Sequence, residues 1–204
     1  VLVWIMNKDE IEKQINSLIC NLKHQNDALR YQAVFILGAL GKDSEKAIPA
    51  LITAMREDRS RDVRIGATRA LGEIGSKEVI KELLKCLDDN YWRVRWQIVQ
   101  TLGRLGDEAK EAIPKLIQVL MEDQDNRVRS EAARALGKIA GTKAIAPIQC
   151  ALQSNPTKEL KFALALTLKI FGDGEEGTNT LCEMQNNGEL AEWQIEMIKE
   201  LFSV

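Results

Sequence analysis

The chain has few of the residues on which most catalytic and metal sites depend. Its 204 residues include one histidine, His24, and four widely spaced cysteines. With one histidine and no CxxC pair, the sequence argues against a zinc site and a disulfide framework, so we interpret the cysteines as free thiols of a reducing, cytoplasmic compartment. It also lacks a Cys/His or Ser/His/Asp set and a glycine-rich phosphate loop. We therefore expect no catalytic residues, no metal and no cofactor.

A strong net charge and long apolar segments are missing as well. No apolar run approaches the ~20 residues that span a bilayer, so no membrane partner is expected. The 28 basic and 30 acidic residues give a net charge of −2, which gives no general attraction to nucleic acid or to anionic lipids. The apolar opening Val1 to Ile5 has no basic leader, and we do not interpret it as a secretory signal.

What the chain does contain is a phrase that recurs along its length. A Leu-Arg or Val-Arg pair is followed, seven residues after the arginine, by Leu-Gly. The arginines are Arg30, Arg64, Arg95 and Arg129, at offsets of 34, 31 and 34 residues. Such a period is typical of helical repeats, and apolar residues at three- and four-residue spacing predict two amphipathic helices in each repeat.

We therefore predict an all-α solenoid of about six antiparallel helix pairs. The whole chain, 1–204, is expected to form one repeat domain. Within it, residues 1–26 are predicted as an N-terminal cap helix, 27–172 as the repeats and 173–204 as a C-terminal capping helix pair. Glycines just after the helices, such as Gly75, are interpreted as helix stops. Glycines inside the second helices, such as Gly72, predict close approach between helices, because glycine there costs ~1 kcal/mol relative to alanine.

The arginine of each phrase projects from the apolar side of its helix, where an unpaired guanidinium would be costly. An acid stands six residues before three of them. These pairs are Asp58 and Arg64, Asp89 and Arg95, and Asp123 and Arg129. We interpret them as a structural ladder that ties helices or neighbouring repeats together through charge-assisted hydrogen bonds.

The opposite side of the second helices carries an unusual set of rings and arginines. The predicted members are Tyr31, Phe35, Ile65, Arg69, Trp92, Arg93, Trp96, Gln100, Arg127 and Arg134. Aromatic residues and arginine are enriched at interface centres, and an exposed apolar patch marks a partner site. We predict that this set lines a concave, partner-binding face, with Trp92 and Trp96 exposed together. For Phe162 and Leu166, packing between repeats is an equal alternative.

The string Val-Arg-x-x-Ala-x-x-Ala-Leu-Gly-x-Ile-Gly, at Val63 to Gly75 and nearly again at Val128 to Ala140, resembles the HEAT repeat. It is most similar to the bacterial form known as the phycobilisome-lyase HEAT-like repeat. The resemblance implies the fold and leaves the function open, since such arrays include bilin lyases, deoxyhypusine hydroxylases, DNA alkylation glycosylases and adaptors. The His-Glu pairs that bind iron in the hydroxylases are absent here.

Three functions remain after this comparison of residues. The main prediction is a bacterial scaffold or adaptor, not an enzyme, that binds an acidic and partly apolar segment of a protein partner on its concave face. The alternative is an accessory protein of the phycobilisome-lyase type, in which the same face binds a phycobiliprotein and the chain is one half of a two-subunit lyase. A DNA-repair protein is disfavoured by the acidic balance and the lack of lysine-rich patches.

Overall fold

The computed structural model describes residues 8–172 and 174–202, which form helices and turns without any strand. The predicted all-α class, a solenoid of HEAT-like helix pairs, is confirmed. Residues 1–7 of the predicted N-terminal cap, and residues 173, 203 and 204 of the predicted C-terminal cap, lie outside the described part. The helices are α1 Lys8–Asn21, α2 Asp27–Leu40, α3 Ile48–Glu57, α4 Arg61–Ile74, α5 Glu78–Lys85, α6 Trp92–Leu105, α7 Ile113–Glu122, α8 Asn126–Ala140, α9 Ile145–Gln153, α10 Lys158–Phe171, α11 Glu175–Asn186 and α12 Glu192–Phe202.

The helices belong to two compact units, one through Ala112 and one from Ile113 onward. In the first unit the second helices of successive repeats, α2, α4 and α6, pack side by side, and α3 packs on α4. In the second unit α8 packs on α7 and α10, while α10 also packs on α9 and α11. The second helices α4 and α10 thus each pack against the first helix of their own repeat and against helices of neighbouring repeats, as stacked repeats must.

The apolar side of the second helices forms the core of each unit, as the spacing predicted. Val63, Ala67 and Leu71 of α4 have no exposed surface, and the leucine of the recurring phrase is fully buried in α2, α6 and α8 as well. Phe162 is also buried, at 7% exposure. It joins a small cluster in the second unit against which Leu166 packs. Of the two alternatives for these residues, packing is therefore the one observed.

Glycines set both the ends and the spacing of the second helices. Gly75 ends α4 in the left-handed conformation, at φ 74° and ψ 30°, and its N–H bonds to the Leu71 carbonyl at 3.1 Å. Gly72 faces α6, where a Cβ would lie 2.6 Å from Cγ2 of Thr101. Gly75 therefore ends its helix in the left-handed conformation that the sequence predicted. Gly172 also ends its helix, α10, but with an extended backbone at φ −96°.

Three further observations bear on function. The four cysteines are free thiols. Among residues 8–172 and 174–202, no helix has the length and apolar character needed to cross a bilayer. The same residues contain no group of three or more side chains that could together hold a metal ion.

Candidate functional site

Two arginine–aspartate pairs, one buried and one half-buried, link second helices of the first unit to the repeat that follows. Arg30 on α2 donates from Nε and Nη2 to the two carboxylate oxygens of Asp58, at 2.6 and 2.8 Å. Arg64 on α4 donates in the same way to Asp89, at 2.8 and 3.1 Å. The carboxylate of Asp58 also accepts from the backbone amide of Ser60 at 2.8 Å, which fixes it at the turn before α4. Each arginine therefore reaches into the following repeat.

The acid six residues before an arginine contributes its backbone rather than its carboxylate. Arg64 donates from Nη1 to the carbonyl oxygen of Asp58 at 2.9 Å, and Arg95 donates likewise to Asp89 at 2.7 Å. Each aspartate thus links two arginines, the preceding one through its carboxylate and the following one through its carbonyl. This linkage ties α2, α4 and α6 to the turns that precede α4 and α6.

In the second unit the corresponding residues make related contacts. Arg129 donates from Nε to the carbonyl oxygen of Leu120, at 2.7 Å. The carboxylate of Asp123 accepts from the backbone amide of Asp125, at 2.9 Å, as Asp58 does from its own turn. The turn that precedes α8 is therefore built like those that precede α4 and α6.

A groove of about 260 Å³ opens between α2 and α4 on the side away from the core. Its lining includes Tyr31 and Phe35 from α2, Ile65 and Arg69 from α4, and Gln97 from α6. Tyr31 and Phe35 are 44% and 54% exposed. The structure therefore brings four of the ten sequence-predicted face residues into one site, together with seven residues that were not predicted, among them Gln97.

Small residues at the floor of the groove allow its walls to approach. A Cβ on Gly38 of α2 would lie 3.1 Å from Ala70 of α4. A Cβ on Gly66 would lie 3.0 Å from Val34 and 3.3 Å from the ring of Tyr31. The backbones of α2 and α4 are thus close, and the larger rings stand at the sides of the groove, where solvent reaches them.

The charge of Arg69 has no counter-ion in the part of the chain that the structure describes. Its guanidinium carbon lies 5.8 Å from the centre of the Phe35 ring, a cation–π distance. Glu73, one helical turn further along α4, is instead paired with Arg104 of α6 at 2.7 Å. The groove therefore presents an exposed cation beside two aromatic rings.

Gln97 supplies a buried polar group to the same groove. It is 6% exposed, and its Nε2 donates to Oε1 of Gln100 at 3.2 Å and to Oγ1 of Thr101 at 3.4 Å. Its own Oε1 accepts no hydrogen bond from residues 8–172 or 174–202. Gln97 stands two residues after Arg95 of α6, and Gly66, which also lines the groove, stands two residues after Arg64 of α4. Its position relative to the recurring arginine is therefore the sequence signal that could have placed Gln97 at the groove.

The other predicted residues of α6 do not line this groove. Trp92 and Trp96 are half-buried, whereas their spacing predicted two exposed rings. The ring of Trp92 lies 6.3 Å from that of Tyr91, and the exposed Arg93 guanidinium lies 5.4 Å above Trp92. Stacking within the start of α6 thus covers part of the surface that the sequence assigned to a partner.

The two predicted arginines of the second unit are exposed and bound by carboxylates. Arg127 donates from Nε and Nη2 to Asp125, at 2.9 and 2.6 Å. Arg134 donates to Glu131 at 3.1 Å. These contacts lower the local positive charge, so the pair does not form the uncompensated basic surface that nucleic acid favours.

Glu131 is a buried carboxylate, and its titration can be tested. Burial raises its pKa above the ordinary value, and the nearby charges of Arg134 and Lys138 lower it by less. The folded state then holds the proton more tightly than the unfolded state, so stability falls as the pH rises from the ordinary glutamate pKa through the raised one.

We therefore expect Glu131→Gln to raise the midpoint of thermal unfolding at pH 7 and to leave it unchanged near pH 4. Thermal unfolding followed by circular dichroism at the two pH values measures this difference. The exposed Glu183 of α11 provides the control, since Glu183→Gln should change the midpoint little at either pH. A glutamine variant less stable than wild type at pH 7 would mean that the ion pair with Arg134 outweighs burial.

Comparisons with known proteins agree with this architecture. A family model described as HEAT repeats matches residues 15–103, 80–169 and 113–195. Phycocyanobilin lyase subunit alpha of Picosynechococcus sp. is 31% identical over 153 residues, which cover 66% of this chain and 56% of that protein. The protein of the same name from Nostoc sp. is 32% identical over 164 residues, 72% of this chain and 58% of its own length. The chain thus spans a little over half the length of these relatives.

Solved structures show the same likeness. One is the complex of CpcE and CpcF of phycocyanin lyase from Nostoc sp., which contains a chain that is 26% identical to this one. The two chains superpose with a TM-score of 0.62, and the match covers 88% of this chain and 70% of that chain. An engineered protein superposes with a TM-score of 0.51 at 21% identity, which supports the fold alone.

These relatives correct one expectation from the sequence. The sequence predicted that the chain is not an enzyme, but both curated relatives are named as subunits of a lyase, which is an enzyme. That expectation is wrong. The names also favour the alternative function, an accessory protein of the lyase type, over the general adaptor.

Proposed function

The chain belongs to the HEAT-repeat family, and we propose that it acts within this family as a subunit of a bilin lyase. Such an enzyme attaches an open-chain tetrapyrrole covalently to a phycobiliprotein. The observation that carries the proposal is that two relatives, 31% and 32% identical over about two thirds of the chain, share the name phycocyanobilin lyase subunit alpha.

The groove between α2 and α4 has the chemistry that this function needs. A bilin offers flat conjugated rings and propionate carboxylates. Tyr31 and Phe35 present exposed rings, and Arg69 presents a cation without a counter-ion among the described residues. Rings stack on rings, and a guanidinium binds a carboxylate with charge-assisted hydrogen bonds.

A second chain and a phycobiliprotein are the partners that we propose. The similar solved structure from Nostoc sp. is itself a complex of two chains. We infer that this chain likewise works with a second lyase subunit and that the substrate pair is a bilin and an apo-phycobiliprotein. A role in DNA repair gains no support, because carboxylates already bind Arg127 and Arg134.

Reconstitution tests the proposal directly. The full chain is mixed with the second chain of a phycocyanin lyase, an apo-phycobiliprotein and phycocyanobilin, and visible absorbance that survives denaturation is measured on the phycobiliprotein. We expect covalent colour that is lost when this chain is omitted. Equal colour without the chain would refute the proposal, and capture of the phycobiliprotein without covalent colour would identify an adaptor.

Within that assay, removal of the rings should slow transfer. We expect the double variant Tyr31→Ala, Phe35→Ala to lower the initial rate about tenfold, because stacking on an aromatic side chain is worth roughly 1–3 kcal/mol. Ile170 gives a matched control, since it is 49% exposed and lies in the second unit. Ile170→Ala should keep the wild-type rate, and equal losses in both variants would show that the groove is not the site.

A further inference from the structure

We propose that Arg69 and Gln97 orient one end of an open-chain tetrapyrrole in the groove between α2 and α4. In this arrangement the Arg69 guanidinium binds a propionate carboxylate, and Oε1 of Gln97 accepts a hydrogen bond from a pyrrole N–H. The inference rests on the proposed function and deepens it, because it states which atoms of the substrate meet which side chains.

The size of the groove decides how much of the pigment it holds. Pockets that enclose a whole drug-sized ligand have volumes of roughly 300–1,000 Å³, and this groove holds about 260 Å³. It therefore fits one end of a tetrapyrrole, against the rings of Tyr31 and Phe35, while the remainder extends from the groove. An exposed remainder is the part that a phycobiliprotein can reach.

The choice of a carboxylate follows from the surroundings of Arg69. Glu73 also lines the groove, and it lies four residues after Arg69, a spacing at which side chains on one helix are neighbours. Glu73 is instead held by Arg104 at 2.7 Å. Arg69 is thereby left over the Phe35 ring at 5.8 Å, where a planar ligand that carries an anionic side arm can stack and pair at once.

The choice of an N–H donor follows from the bonds of Gln97. Both contacts of its side chain, to Gln100 and Thr101, use Nε2. That use turns the amide so that Oε1 is the atom of this groove-lining side chain that can still accept a hydrogen bond from a ligand. Pyrrole nitrogens of a tetrapyrrole carry the hydrogens that would satisfy it. An acidic peptide offers the carboxylate for Arg69 but not the conjugated rings for Tyr31 and Phe35.

Pigment binding by the full chain tests both assignments. Phycocyanobilin and its dimethyl ester, in which the propionates are neutral, are titrated separately while the change in visible absorbance is followed. We expect wild type to bind the free acid about tenfold more tightly than the ester, since a hydrogen bond to a charged group is worth about 1.5–3 kcal/mol. Arg69→Gln should remove this preference by weakening only the free acid.

Two further variants complete the experiment. Arg56→Gln removes another exposed arginine, on α3, that does not line the groove, and it should retain the tenfold preference. Gln97→Met, similar in shape, should weaken acid and ester alike by about threefold to tenfold, the loss of one neutral hydrogen bond. Thermal unfolding of each variant shows that it is folded before binding is measured.

The outcomes separate this inference from the proposed function. If Arg69→Gln still prefers the free acid tenfold, or if wild type binds acid and ester equally or neither at micromolar concentration, the inference is wrong. Covalent transfer in the reconstituted assay would leave the proposed function standing in each of these cases. A further outcome is that covalent transfer fails while wild type binds the free acid more tightly than the ester and only Arg69→Gln loses this preference. That result would support the proposed binding site and refute the proposed lyase function.

Discussion

Replacing Arg30 by methionine is expected to lower the free energy of unfolding by about 3–5 kcal/mol, the cost of breaking a buried ion pair by removing one partner. The side chains of Arg30 and Asp58 are each 6% exposed. Arg30 also donates from Nη1 to the carbonyls of His24 and Gln25, at 2.8 and 3.0 Å. Methionine keeps the packing of the stem, so the loss measured in urea unfolding reports the missing donors.

An exposed ion pair between helices provides the control for Arg30. Lys46 pairs with Glu12 at 2.9 Å, with side chains 35% and 62% exposed. Lys46→Met should cost at most about 1 kcal/mol, because solvent screens such pairs. Adding Asp58→Asn to Arg30→Met should recover part of the loss, since the carboxylate would no longer be buried without its partner. Equal losses for Arg30→Met and Lys46→Met would contradict the structural role of the buried pair.

The same pair predicts a pH dependence. Burial raises the pKa of Asp58, but the hydrogen bonds from Arg30 and the Ser60 amide and the charges of Arg30 and Arg59 together leave it below its ordinary value. A carboxyl group with a lowered pKa in the folded state stabilises the protein at any pH above its pKa in the unfolded state. This stabilisation is lost as the pH falls through its pKa in the folded state. The difference between wild type and Arg30→Met should therefore shrink as the pH is lowered through the carboxylate range.

Gly177→Ala is expected to destabilise the second unit by about 3 kcal/mol, the upper range for overpacking. A Cβ at this position of α11 would lie 2.5 Å from both the carbonyl oxygen of Ala165 and the backbone nitrogen of Lys169. These atoms belong to the backbone of α10, so no change of rotamer can relieve the overlap. The helices must separate, which opens the cluster that contains Phe162, Leu181 and Met184.

With Trp4, Trp92 and Trp96 replaced by phenylalanine, the fluorescence of Trp193 during urea unfolding follows this change locally, because its ring lies 6.4 Å from that of Phe162. Gly188→Ala is the matched control. Gly188 has φ 66°, and a Cβ there would have no neighbouring atom within 4 Å among the described residues, so alanine should cost only the roughly 1–2 kcal/mol of a left-handed residue. A smaller loss at Gly177 than at Gly188 would show that α11 adapts without leaving α10.

The arginine ladder illustrates how far local spacing carries a prediction. The position of Arg64 on the apolar side of its helix indicated that it needed a buried partner, and the nearby acids indicated aspartate. The sequence did not show that Arg64 binds the carboxylate of Asp89, 25 residues later, while Asp58 offers it only a backbone carbonyl. Both carboxylates satisfy the same chemical requirement, and only the packing of α4 against α6 selects between them.

Periodicity by itself determined the helices, the repeat, the apolar side of α4 and the family likeness, because each depends on residues close together in the chain. Only the tertiary structure decided the content of the groove. The fourth residue after Arg69 is Glu73, and local rules would pair them, yet Arg104 takes that glutamate from 31 residues away. The assembly of Tyr31, Phe35, Ile65 and Arg69 into one groove likewise depends on the packing of α2 against α4. Burial and charge pairing are set by distances in space, and sequence spacing fixes those distances only within a helix.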